Sequence, residues 1–178
     1  MTDPFEVLGV EPRFDLDMRA IEQRHRDLSR TLHPDRYAGA PAAERRLALG
    51  RAIEVNDAFR VLRDPIRRAE ALLRRAGTVP GEEGEQKVSP ALLMEMMEAR
   101  EELSDAAKKK DLAHVAKLGE AMRAREQKML AAVGNAFAAM ARDPDRVGAV
   151  LPLLGELRYI RRYLDEVSAI EEDLTDPT

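Results

Sequence analysis

At His33-Pro34-Asp35 an imidazole, a rigid imide and a carboxylate stand side by side, and these are the residue types from which proton-transfer chemistry is built. What surrounds them does not complete a catalytic site. The chain has no cysteine, no serine stands near a histidine in a triad-like context, and no glycine-rich run could cradle a phosphate. The remaining histidines, His25 and His114, are too few to build a histidine-rich metal site, so no metal and no cofactor are expected. As a bare tripeptide, His-Pro-Asp is a turn: proline fixes one torsion and aspartate accepts backbone N–H groups. An enzyme is therefore not expected.

Two further groups of residues could carry recognition rather than catalysis. Arg19, Arg26 and Arg30 precede the tripeptide at spacings of seven and four, which places them on one helix face. On charge alone such a stripe is a solvated surface. The second group is Leu93, Met94 and Met97, beside Glu98, Glu101 and Asp105. Leu92, Met96, Ala99, Leu103 and Ala106 already form a continuous inward stripe on that helix, so the other apolar side chains are surplus. Tyr159 likewise falls off the seam of its own helix. Two readings stand open. The surplus residues widen a core face, or they form an apolar patch rimmed with acid, which is the anatomy of a partner-binding surface.

The elements that must position these groups are helices. Alanine, leucine, glutamate and arginine dominate, 4% of residues are aromatic, and no long β-branched alternation occurs, so the fold class is all α. The period predicts a short helix at Pro4–Leu8 and one from about Asp17 to Leu32, with Ile21, Leu28 and Leu32 inward. Pro34 stops it. A third runs from about Pro41 to Arg63, with Leu49, Ile53, Phe59 and Leu62 inward, and a fourth over Ile66 to Arg75. Gly77-Thr78-Val79-Pro80-Gly81-Glu82-Glu83-Gly84-Glu85-Gln86-Lys87 has no helical period and reads as a linker or loop. Ser89-Pro90 opens a helix to about Lys109, Asp111 caps another to about Ala141, and Asp143-Pro144 opens the last. Its seam is Val147, Val150, Leu154, Leu157, Leu164 and Val167; Pro152 either kinks that helix or starts it. The expected organisation is a domain over 1–76, a linker over 77–88 and an antiparallel three-helix bundle over 89–178. Lys108-Lys109-Lys110 falls at a helix C-terminus, where cations meet the macrodipole, and reads as structural.

Charge bears on the partners. The net charge of −4 is divided unequally: residues 1–76 hold fifteen arginines and no lysine against thirteen acids, a net of +2, and residues 77–178 net −6. Opposite halves point to two different partners. An arginine-bearing helix could track phosphates, but the acidic total and a pI near 5.5 make nucleic acid an unfavoured partner. The N-terminus Met1-Thr2-Asp3-Pro4 has no signal-peptide character and no run suits a membrane span, so a cytoplasmic protein with no membrane partner is expected.

The order of these segments resembles the J-domain family across residues 1–75. The resemblance is carried by Pro4-Phe5-Glu6-Val7-Leu8-Gly9-Val10, the basic helix, His33-Pro34-Asp35-Arg36, Asn56-Asp57-Ala58-Phe59-Arg60-Val61-Leu62-Arg63-Asp64-Pro65, and Arg68-Ala69. It implies a helical hairpin with His-Pro-Asp at its tip and stimulation of ATP hydrolysis by an HscA/DnaK-type chaperone. Arg26, Arg30, His33, Pro34 and Asp35 would be the chaperone-binding residues, with Asp35 pairing an arginine near the partner's interdomain linker. His25 stands where that family often has tyrosine. The second half is similar to the HscB family, on Ala91-Leu92-Leu93-Met94-Glu95-Met96-Met97-Glu98-Ala99-Arg100-Glu101-Glu102-Leu103, on Leu157-Arg158-Tyr159, and on Arg68-Ala69-Glu70-Ala71-Leu72-Leu73. It implies an IscU-type iron–sulfur scaffold as second partner, held by Leu93, Met94, Met97, Glu98, Glu101, Asp105 and Tyr159. Asp105 replaces the usual glutamate and Tyr159 the usual phenylalanine. A J-protein serving another client, or a helical nucleic-acid-binding protein, are the alternatives.

Overall fold

The computed structural model describes residues 2–78 and 89–175, and the regular elements among them are all helical, as the sequence predicts. They fall into two units, Met1–Val79 and Pro80–Thr178.

The first unit holds α1 (Pro4–Leu8), α2 (Met18–Thr31), a 3-10 turn (Pro34–Tyr37), α3 (Ala42–Arg63) and α4 (Pro65–Arg75). Aspartates set three of the starts. Asp3 accepts the Phe5 N–H, Asp17 that of Arg19, and Asp64 that of Ile66, each at 2.9 Å. Each satisfies a donor that has no partner within its helix. The end of α1 favours glycine for its backbone, and an added side chain would also displace Arg24. Gly9 has φ +60°, and a Cβ there would stand 2.5 Å from an Arg24 guanidinium nitrogen. The room left lets Arg24 Nε reach the Leu8 carbonyl at 2.7 Å and close the helix.

Phe5, Leu8, Ile21, Leu62 and Leu73 are buried at the centre of this unit. Arg68 is buried with them. Its Nη1 donates to the Phe14 carbonyl at 2.9 Å, and its guanidinium lies 5.2 Å from the Phe14 ring centroid. Loss of solvent lowers its pKa, against the raising influence of Asp64 and Asp15. The inward face of α3 differs from the expectation. Ala48, Val55, Ala58 and Leu62 are buried, Phe59 is half-buried, and Leu49 and Ile53 are 56% and 53% exposed. Three other helices touch α3, so its inner side takes small residues, while the larger leucine and isoleucine fall on the opposite side.

The helix α4 ends in a left-handed turn at Gly77, φ +80°, with Gly77 N–H donating to the Arg74 carbonyl at 3.0 Å and Thr78 N–H to that of Leu73 at 2.9 Å. Gly77 and Thr78 thus finish a helix. Residues 79–88, the rest of the expected linker, lie outside the described residues.

The second unit holds α5 (Pro90–Lys108), α6 (Leu112–Met140), a 3-10 stretch (Pro144–Ala149) and α7 (Val150–Thr175). Ser89 and Asp111 supply the caps, accepting the Leu92 N–H at 3.2 Å and the His114 N–H at 3.0 Å. The last α-helix opens later than Asp143-Pro144, because the 3-10 stretch intervenes. Pro152 sits in its first turn, so of the two readings the helix begins near the proline, where no N–H is required. The core stripe of α5 is as expected: Leu92, Met96, Leu103 and Ala106 are buried and Ala99 packs against them. On α7 the seam gains Ile160 and Tyr163, 0% and 1% exposed, while Val147 is half-buried. Arg125 on α6 ties the three helices together. Its guanidinium is 2.6 Å from Glu95 on α5 and 2.8 Å from Glu156 on α7, and these hydrogen bonds raise its pKa against the effect of burial.

Candidate functional site

The first candidate site is the turn between α2 and α3. His33 caps the 3-10 turn, with its Nδ1 accepting the Asp35 N–H at 3.3 Å. A neutral ring that accepts at Nδ1 carries its proton on Nε2, which leaves a donor free. The Asp35 carboxylate is 3.5 Å from the same Nδ1, and the two side chains are 59% and 90% exposed. Pro34 fixes the turn between them, so an imidazole and a carboxylate project together from a rigid point. Both side chains are exposed, which suits presentation to a partner.

The hairpin that carries this tip is clamped by His25. Its ring stacks on Phe59 at 4.2 Å between centroids, and its Nε2 is 2.9 Å from Asn56 Oδ1. His25 therefore joins α2 to α3 and is half-buried rather than standing on the basic face. Sequence alone marks His25 as a departure from the family's frequent tyrosine but does not place its ring. Arg26 is exposed on α2, with Nη2 donating to Gln23 at 2.9 Å and Nη1 3.9 Å from Glu22. Arg30 is exposed and forms no ion pair among the described residues. The structure brings Arg26, Arg30, His33, Pro34 and Asp35 to one end and one flank of a single hairpin.

The second candidate site is on α5. Leu93, Met94 and Met97 are 39%, 63% and 64% exposed, so they stand outside the core that Leu92 and Met96 enter. Residues 94, 98, 101 and 105 follow one another at helical spacing, which puts Glu98, Glu101 and Asp105 on the same flank as the methionines. Glu98 and Glu101 form no ion pair among the described residues, and Asp105 is 3.3 Å from Lys108. Tyr159 is placed differently. It packs half-buried against the core cluster, with Arg162 5.8 Å from its ring centroid. The Tyr163 hydroxyl reaches the Ala99 carbonyl at 3.4 Å and Arg100 pairs with Glu166 at 3.3 Å, so α5 and α7 run in parallel and Tyr159 lies near the level of Met96 and Met97. Among the described residues no group of three or more histidines, cysteines or carboxylates could hold a metal ion, and no helix is long and apolar enough to cross a membrane.

Comparison with known proteins decides what carries two such sites. Residues 3–71 match the family described as "DnaJ domain", and residues 88–168 match "HSCB C-terminal oligomerisation domain". A co-chaperone protein HscB homolog of Bordetella avium is 40% identical over 133 residues, covering 75% of this chain and 78% of that protein. The chain belongs to the HscB family. A second HscB homolog, from Bordetella pertussis, is 46% identical over 104 residues, 58% of this chain and 61% of its own length. Chaperone HscB from Vibrio cholerae superimposes with a TM-score of 0.83 at 30% identity, covering 97% of this chain and 99% of that one. Human co-chaperone HscB, at 21% identity and a TM-score of 0.80 over 95% of this chain and 82% of its own, shares the fold. As an HscB-family protein the chain is a J-domain co-chaperone of iron–sulfur cluster assembly, and its J-domain makes an Hsp70-type chaperone its partner.

Proposed function

We propose that this chain stimulates ATP hydrolysis by an HscA/DnaK-type chaperone through His33-Pro34-Asp35 and delivers an IscU-type iron–sulfur scaffold to it. The observation that carries the proposal is the exposure of two unlike surfaces on two separate units: a rigid polar tip with a basic flank, and an apolar face edged with acid.

At the tip, Asp35 offers a carboxylate that can pair with an arginine of the ATPase near its interdomain linker, and Pro34 restricts the backbone that carries it, which lowers the ordering cost of binding. Arg26 and Arg30 face an acidic surface of the partner, which speeds encounter more than it adds affinity. On the bundle, Leu93, Met94 and Met97 are the apolar anchors for the scaffold, Glu98, Glu101 and Asp105 the rim, and Tyr159 a neighbouring contact. Flexible methionines on an exposed face suit a partner surface that is itself irregular. The iron–sulfur cluster travels as cargo of the scaffold, so this chain needs no metal ligand of its own. The chain thus acts on the rate of another protein's reaction, and a cytoplasmic setting with its ATP supply fits that role.

The test is a steady-state ATPase assay of the Hsp70-type partner with parent and Met97→Ala chains, with and without scaffold. The parent should stimulate, and added scaffold should raise the stimulation further. Met97→Ala should keep the first effect and lose most of the second. A parent chain without effect on the ATPase would overturn the proposal.

A further inference from the structure

On the outer side of α3, away from the buried alanines, Leu49 and Ile53 are 56% and 53% exposed and four residues apart, which stacks them on one face. Leu47, on the same helix but off that face, is 60% exposed as well, and of these three only Leu49 and Ile53 stack on one another. Their location follows from the hairpin clamp. His25 on α2 meets Asn56 on α3 at 2.9 Å. In an antiparallel pair, seven residues onward from His25 is Leu32, and seven residues back from Asn56 is Leu49. Leu49 therefore stands level with the residue that precedes His33. Ile53 lies one turn further along the stripe that ends at Asn56. The first half of α3, residues 42–53, carries Arg45, Arg46 and Arg51 against Glu44, a net of +2. Arg46 and Arg51 form no ion pair among the described residues. Arg45 Nη1 reaches the Ala40 carbonyl at 3.1 Å, fastening this end of α3 to the loop.

We infer that Leu49 and Ile53 form an apolar docking strip for the ATPase of the Hsp70-type chaperone. This inference rests on the reading of His33-Pro34-Asp35 as the chaperone contact. The occupant follows from continuity and charge. The strip adjoins the tip, so a protein seated on Asp35 covers it. Its basic rim matches the sign of the Arg26 and Arg30 flank, so one acidic partner surface satisfies both. Apolar anchors within a charged rim give such a contact its lifetime, where the arginines give it speed.

The test titrates the partner's ATPase with full-length parent, with Leu49→Gln/Ile53→Gln, and with Asp35→Asn. Glutamine keeps good helix propensity and both positions are exposed, so the melting temperature should hold. The half-stimulating concentration of the double variant should rise about tenfold, as loss of interface anchors does, with the maximal rate retained. Asp35→Asn should lose the maximal rate. A double variant within about twofold of a stimulating parent overturns the strip alone, and so does a lowered maximum at an unchanged midpoint. A parent that gives no stimulation overturns the underlying reading and the strip with it. Sedimentation velocity covers the remaining occupant: a parent dimer that becomes monomeric in the double variant, with stimulation unchanged, assigns the strip to a second copy and overturns the inference.

Discussion

Met96 and Met97 are adjacent on α5, one helical step apart, yet 3% and 64% exposed. Truncating each to alanine should separate folding from recognition. Met96 packs among Leu92, Leu103, Val115 and Ile160, so Met96→Ala leaves a cavity, and buried methionine-to-alanine changes cost about 2–5 kcal/mol. In a unit of this size each kcal/mol moves the melting temperature by about 4–8 °C, so a fall of at least about 8 °C is expected. Met97→Ala removes a side chain that solvent already reaches, and surface changes of that kind stay within about 0.5 kcal/mol. The loss should instead appear in scaffold binding. Fully burying a methionine is worth about 1.5–3 kcal/mol, and with some two-thirds of Met97 available to a partner the share is about 1–2 kcal/mol, or roughly 5- to 30-fold in Kd. Thermal melts followed by calorimetric titration of each folded variant with the scaffold measure both numbers. If Met97→Ala melts as low as Met96→Ala, or binds the scaffold as the parent does, the assignment of this face to a partner is wrong.

Three further outcomes follow from the same geometry. Raising ionic strength should weaken the chaperone contact more steeply than scaffold binding, because exposed charges more than about 8 Å apart are screened at physiological salt while apolar contacts are not; matched steep slopes would contradict the division of surfaces. Lys110→Gly should raise stability by about 1 kcal/mol in a denaturant melt, because Lys110 closes α5 at φ +54° and lysine, unlike glycine, is strained there; no gain would mean the turn tolerates a side chain at no cost. Tyr163 has its pKa raised above 10.0 by burial, so the unfolded chain gives up its proton first: stability is full below pH 10 and lost as the pH rises through the folded value. Tyr163→Phe should remove that part of the alkaline loss, and an unchanged alkaline profile would show that the hydroxyl is hydrated.

The helices were legible because their boundaries are written in caps. Asp17, Ser89 and Asp111 stand where the sequence predicts starts, and Asp64 just before the one predicted at Ile66, each accepting a backbone N–H. The inner side of α3 was not legible. Its sequence holds two stripes, one of small residues and one with Leu49 and Ile53, and side-chain size favoured the wrong one. Which stripe turns inward depends on how closely other helices approach, and a period does not contain that distance. On α5 the same problem resolved correctly, because the stripe through Leu92 and Met96 is longer than its neighbour and the bundle needs only one. The seam of α7 also buries Ile160 and Tyr163, which the spacing from Val150 to Val167 alone does not single out. The hairpin clamp could have been suspected from an aromatic-sized ring at His25 and another at Phe59, but their pairing spans 34 positions and needs the turn at Pro34 to bring them together.

The central claim is that this chain acts on its partner's ATPase through an exposed tip. His33→Gln tests it most directly. His33 is exposed, and among the described residues its side chain meets only Asp35, at the backbone N–H (3.3 Å) and at the carboxylate (3.5 Å), within a four-residue turn, so the variant should fold and melt like the parent. Measured side by side, the parent should accelerate ATP hydrolysis by the Hsp70-type chaperone and bind the scaffold. His33→Gln should bind the scaffold equally well and leave the ATPase at its basal rate. Stimulation by a folded His33→Gln variant at the parent's level would contradict the account.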